Sequence, residues 1–190
     1  ANSLKLRLAM RISAVYEDAQ KIAEAAVAHP YGVIESNDNN PTMQSNSNLS
    51  FTYNNPIHSI SSAEGYEEDV MGATMDAYLN GFEDPRRAVF FALSSNGNYR
   101  GLRNGHKNGD IFKGDEGLSK PNIQQGTPYI WMTAAEVFFL RAEGALKQWD
   151  MKGTPEALYK SGIRASFEQH GVKNVENYLV STKVPARYPG

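Results

Sequence analysis

From Thr133 to His170 the apolar positions return every three or four residues, and they do so twice, on either side of a short polar interval. Ala134, Val137, Phe138, Ala142, Ala145 and Trp149 form the first stripe. Phe139, Leu140 and Leu146 widen it, which predicts a helix covered on more than one side. Thr133 supplies an N-cap hydroxyl, Glu136 three residues on completes a capping box, and Met132 and Val137 are spaced to staple the entry. Thr154 opens the second helix with Pro155 at its first position, where no amide is needed, and Leu158, Tyr159, Ile163 and Phe167 give it an apolar face. Gly162 costs this helix about 1 kcal/mol relative to alanine, which implies close approach of a neighbour. His170 and Gly171 supply the stop. The pattern is that of a packed helical hairpin over residues 133–170.

The rest of the chain alternates helical and irregular stretches. Residues 2–13 read as an amphipathic helix whose buried face is Leu4, Leu8, Ile12 and Val15, flanked by Lys5, Arg7 and Arg11. Residues 18–29 predict a second helix buried through Ile22, Ala23, Ala26 and Val27, ended by His29-Pro30-Tyr31-Gly32. Ser61 with Glu64 forms a second capping box, opening a helix to Asn80 with Val70, Ala73, Thr74, Ala77 and Tyr78 inward. Asp84-Pro85-Arg86 reads as a turn with the acid capping and the arginine pairing. Residues 88–93, AVFFAL, read as a short strand. Residues 172–190 look partly extended. Between these lie two irregular regions, 36–60, rich in Asn and Ser, and 94–125, punctuated by glycine. The expected fold class is therefore mainly α: helical hairpins with long irregular loops and at most short strands.

Composition narrows the function classes. The 190 residues are 41% hydrophobic and 21% charged, with a formal net charge of −2, which argues against a general nucleic-acid binder. No run approaches the roughly eighteen apolar residues of a membrane helix. With no cysteine there is no disulfide, no thiolate metal site and no thiol nucleophile; a lipidated cysteine, if there is one, lies outside these residues. The run NGNYRGLRNGHKNGD lacks the Gly-Lys-Ser/Thr ending of a phosphate loop and the G-x-G-x-x-G spacing. The four histidines, at 29, 58, 106 and 170, are scattered. Asn37, Asp38, Asn39 and the 110–115 segment offer oxygens to calcium without the spacing of a calcium loop. Glu136 and Glu143 share a helix face, but the first is engaged in capping and the second has Lys147 one turn on. Neither a serine elbow nor an acid pair for glycoside cleavage is evident. No catalytic constellation emerges, and no cofactor is expected.

The wording of the hairpin is more specific than its physics. WMTAAEVFFLRAEGALKQWDMKGTPEALYKSGIRASFEQHGV resembles the C-terminal helical hairpin of the SusD/RagB-like outer-membrane lipoproteins, with YIWMTAAEVFFLRAEGALKQW its most specific part. ANSLKLRLAMRIS, EAAVAHPYGVI and MDAYLNGFEDPRRAVFFAL are similar to that family's helix opening, helix exit and run into Asp-Pro-Arg. The resemblance implies a mainly helical fold with tetratricopeptide-like hairpins, residues 1–190 forming part of one such domain of a longer protein. It further implies a non-catalytic nutrient-binding protein of Bacteroidetes, lipid-anchored on the outer face of the outer membrane. Such a protein captures oligosaccharides and passes them to a SusC-like TonB-dependent transporter, and nucleic acid is not a partner. A helical-hairpin scaffold that binds a peptide is the alternative. Ligand contacts in the family lie on variable loops, so no binding residue carries over by position.

The candidate contacts therefore come from the loops 36–66 and 94–113. Flat aromatic faces among amides and guanidinium groups suit sugar rings, which stack on apolar faces and hydrogen-bond through hydroxyls. Tyr53, Tyr66, Asn98, Tyr99, Arg100 and His106 are the expected ligand-binding residues.

Overall fold

The computed structural model describes residues 1–45, 55–61, 69–105, 117–183 and 188. Among them the chain is mainly α-helical, as expected. The α-helices are α1 (Asn2–Arg11), α2 (Ala19–Val27), α3 (Pro56–Ser61), α4 (Ala73–Gly81), α5 (Arg87–Phe90), α6 (Ala134–Leu146), α7 (Pro155–Gln169) and α8 (Val175–Val180). Two two-residue strands, β1 (Thr42–Met43) and β2 (Tyr129–Ile130), pair as a small sheet. No helix among the described residues is long and apolar enough to cross a membrane. The chain falls into two compact units, residues 1–42 with 130–190, and residues 43–129.

The first unit is built on the hairpin of α6 and α7. The Thr133 hydroxyl accepts the Glu136 amide at 3.0 Å, and Met132 and Val137 are both buried in one cluster. The capping box closes in one direction, however. The Glu136 carboxylate is gripped by Arg7 of α1, whose Nε and Nη2 donate to it at 2.6 Å each. This fork joins α1 to the first turn of α6, where an acid also suits the helix dipole. A second group completes that helix start: Asn40 Oδ1 accepts the Ala134 amide at 2.7 Å. Thr154 caps α7 through the Ala157 amide, with Pro155 in the first turn, and Gly171 leaves it at φ +64°. At Gly162 an added Cβ would lie 2.8 Å from the Phe139 ring, so the glycine does permit close approach.

Three expectations for this unit are corrected. Leu4 and Leu8 are 50% and 57% exposed, with Ile12 and Val15 also exposed; Ser3, Leu6, Ala9 and Met10 are buried instead. α1 carries apolar residues on two faces, and the face with the small Ala9 is the one that packs against α2 and α6. On α6, Leu140 is buried but Leu146 is 63% exposed, so the widened stripe is covered on one flank only. Residues 175–180 are helical where an extended tail was expected. α8 folds back because Leu179 joins Ile163 and Phe167 in a cluster of their own. Tyr178 lies against Phe167 there, and Arg164 of α7 forks the Glu176 carboxylate, holding it below the usual carboxylate range.

The loop between α6 and α7 is held from within. Arg141, almost fully buried, donates from Nε to the Met151 carbonyl at 3.0 Å and from Nη2 to the Lys152 carbonyl at 3.2 Å. Its Nη1 meets Glu35 at 2.5 Å, and its guanidinium lies over the Phe138 ring. Gln148 and Lys152 stand in the left-handed region at φ +65° and +54°, a strain of about 1 kcal/mol each, and Arg141 holds the second of them by its carbonyl.

The second unit departs further from the sequence pattern. Its helix α4 begins at Ala73 after extended Gly72, with residues 69–72 outside any helix, so a helix running unbroken from Ser61 does not form. Thr74 and Ala77 are exposed and Tyr78 is 59% exposed; Leu79 is buried. AVFFAL is not a strand: Arg87–Phe90 is a helical turn, after which Phe91 makes a single bridge to Pro121. The turn at Asp84 is as expected. Its carboxylate, almost fully buried, accepts the Arg86 amide at 2.9 Å and the Arg86 guanidinium at 3.0 and 2.5 Å.

Candidate functional site

In the second unit, residues 94–103 are shaped by turns and by backbone pairing to segments far away in sequence. Ser94 and Asn98 close a turn: the Ser94 amide donates to the Asn98 carbonyl at 2.9 Å, and the Ser94 hydroxyl donates to Asn98 Oδ1 at 2.9 Å. Gly97 occupies the left-handed position, φ +73°. The chain then runs beside two other segments. The Ser119 amide donates to the Arg100 carbonyl at 2.9 Å, and the Arg100 amide to the Ser119 hydroxyl at 3.1 Å. The Leu102 amide donates to the Met71 carbonyl and the Ala73 amide to the Leu102 carbonyl, both at 2.7 Å. Ser119 is fully buried, so these bonds are shielded from water.

Helix α4 grips the same segment through side chains. Asp76 Oδ2 accepts the Gly101 amide at 2.7 Å, and Asp76 Oδ1 accepts Asn80 Nδ2 at 2.6 Å. Asn80 Nδ2 also donates to the Tyr99 carbonyl at 2.8 Å, while Asn80 Oδ1 accepts Arg87 Nη1 at 3.1 Å. The Arg87 guanidinium lies over the Tyr99 ring, 5.2 Å from its centroid. Gly101 is required by this fit, since a Cβ there would stand 2.6 Å from the Gly72 carbonyl oxygen.

The six residues expected from sequence are thus placed as follows. Asn98, Tyr99 and Arg100 lie consecutively on this pinned segment; Asn98 and Arg100 are exposed and Tyr99 is half-buried. Tyr53, Tyr66 and His106 lie outside the described residues. Sequence reading missed Asp76, Asn80, Arg87 and Ser119. The signal for the first two was available: an acid and an amide four apart on a helix are neighbours able to face the same segment.

The near part of the Asn-rich stretch is engaged elsewhere. Asn37 Nδ2 donates to the Ala165 carbonyl at 2.9 Å and to Glu168 at 3.0 Å, on α7, and Asn40 caps α6. Further on, Asn55 is buried, taking the Gln125 carbonyl through its backbone amide and the Thr127 carbonyl through its side chain, both at 2.9 Å. These amides clamp backbone.

Comparisons with known proteins agree with the hairpin wording. The sequence model of the SusD-like family, described as Susd and RagB outer membrane lipoprotein, matches residues 1–190. A chitin-binding SusD homolog from Flavobacterium johnsoniae superposes with a TM-score of 0.84 at 38% identity, covering 95% of this chain and 36% of that one. SusD homologs from Bacteroides uniformis and Bacteroides thetaiotaomicron give TM-scores of 0.83 and 0.80 at 40% and 37% identity. They cover 100% and 95% of this chain and 40% and 37% of theirs. The chain thus spans well under half the length of these structures. A comparison with curated proteins found no match.

Proposed function

This chain belongs to the SusD-like family of SusD and RagB outer membrane lipoproteins, and from that premise we propose that it binds oligosaccharide nutrients without cleaving them. On this reading residues 1–190 are part of one helical SusD-like domain of a longer protein. That protein is lipid-anchored at the outer face of the outer membrane and passes its glycan to a SusC-like TonB-dependent transporter. The observation that carries the reading is the pinned segment 98–100. It carries an amide, an aromatic ring and a guanidinium on three consecutive residues, on a backbone that is held before any ligand arrives.

Binding rather than cleavage is supported by the acids nearby. Asp76 is occupied by a backbone amide and a side-chain amide, and Asp84 by Arg86, so both carboxylates serve the scaffold. A chitin oligosaccharide is the first ligand to try, because one matched structure is described as chitin-binding. Tyr53, Tyr66 and His106 remain part of the proposed contact set.

Isothermal calorimetry against a panel of chitin, starch, xylan and mannan oligosaccharides tests the reading. Binding without release of shorter sugars is expected, and Tyr99→Ala should weaken it by about tenfold, the ~1.4 kcal/mol of one stacked ring. A panel that gives no heat, or sugars that are shortened on incubation, would overturn it.

A further inference from the structure

We propose that Asp76 and Asn80, on α4, are positioning residues for the glycan site, setting Tyr99 with Arg87 behind one ring face and its other face turned to the sugar. The proposal rests on the glycan-binding reading above and adds the device that builds the site.

An ionised Asp76 only accepts, so it fixes both groups that meet it: the Gly101 amide at 2.7 Å and the Nδ2 of Asn80 at 2.6 Å. Once Asn80 turns its nitrogen toward Asp76, that nitrogen also reaches the Tyr99 carbonyl at 2.8 Å. Its oxygen is then left facing Arg87, whose Nη1 donates to it at 3.1 Å. That bond brings the guanidinium to 5.2 Å from the Tyr99 centroid. One negative charge on α4 therefore decides the orientation of an amide, and the amide decides where a cation stands.

The result is a ring with one face covered. Tyr99 is half-buried while both sequence neighbours are exposed, so part of the residue stays accessible to a ligand. A sugar ring stacked on the open face would meet a platform already ordered, so less freedom is lost on binding. Asp76 and Asn80 lie outside both irregular loops in which contacts were sought, and neither needs to touch ligand.

With an amide at position 76 the polarity lock is lost. Asn80 can turn over, presenting its nitrogen to Arg87. Asp76→Asn should weaken binding of a chitin hexasaccharide, or of the panel sugar that the parent binds most tightly, by about tenfold. It should also speed amide exchange at Gly101 and Leu102 without sugar, leaving unchanged the melting that Trp131 and Trp149 report for the first unit. The double-mutant cycle separates positioning from mere loss of stability: in a Tyr99→Ala background, Asp76→Asn should cost nothing further. If Asp76→Asn does not fold, Asn80→Ala takes its place with the same expectations. Unchanged affinity in a parent that binds, or losses that add in the double variant, would overturn this proposal alone. A parent that binds no glycan would overturn the glycan reading and this proposal with it, whatever the exchange data show.

Discussion

The two compact units are held by different forces. Residues 1–42 with 130–190 bury aliphatic and aromatic side chains from five helices, among them Leu6, Val137, Leu158, Ile163 and Phe167, with Arg141 and Ser3 as buried polar residues. Among the described residues of 43–129, the buried hydrophobics are Met71, Leu79 and Leu118. Asn55, Asp84, Ser94 and Ser119 are buried beside them. The first unit is thus a core with caps. The described residues of the second are short helices and irregular segments tied by backbone and side chain-to-backbone bonds, whose geometry is directional where apolar burial is not. A core can be rebuilt from other apolar residues of similar volume, whereas a polar tie holds only with its own partners. In the second unit such ties hold the backbone from Tyr99 to Leu102.

The comparison can be broken most strongly at the apolar core. Phe167→Ala should destabilise the first unit by about 3–5 kcal/mol, because the ring is fully buried between Ile163, Leu179 and Tyr178. Tryptophan fluorescence is the readout, since both tryptophans, Trp131 and Trp149, lie in that unit. Asp84→Ala should cost the second unit about 2–4 kcal/mol by removing the carboxylate that accepts the Arg86 guanidinium and amide. Amide exchange in residues 86–92 should rise while tryptophan fluorescence stays unmoved; equal effects on both probes would contradict the separate bookkeeping of the units. Thr133→Ala should cost about 0.5–1 kcal/mol in urea denaturation, the lower part of the ~0.5–2 kcal/mol range for a cap, because Asn40 also holds the helix start. Smallest of all, Leu8→Lys should stay within about 0.5 kcal/mol of the parent in the same assay, because the residue is 57% exposed.

Legibility followed the same divide. Thr133, Thr154, Pro155, Gly162 and Gly171 act as their residue types and spacing predict, because caps and close approaches are local or declare themselves by a small residue. The α1 face was misread: Leu4-Leu8-Ile12 has as good a helical period as Ser3-Leu6-Met10, and only the packing of Ala9 against the neighbouring helices distinguishes them. Of the site, the aromatic and its polar neighbours at 98–100 could be chosen from composition. Asp76 and Asn80 show in sequence only their spacing on one helix; the segment they hold, and the ring that Arg87 covers, lie 12 to 25 positions away.

The helical hairpin and its caps, the Asp84 turn and, through the wording of the hairpin, the family are all legible along the chain. Those features are set by the free energy of a few adjacent residues, so a linear reading reaches them. Only the tertiary structure decided which face of α1 is buried, that Glu136 belongs to Arg7, and that α4 holds the Tyr99 segment. Each of these turns on a choice between partners of equal local merit, and that choice is made by which distant groups arrive within hydrogen-bonding or van der Waals distance.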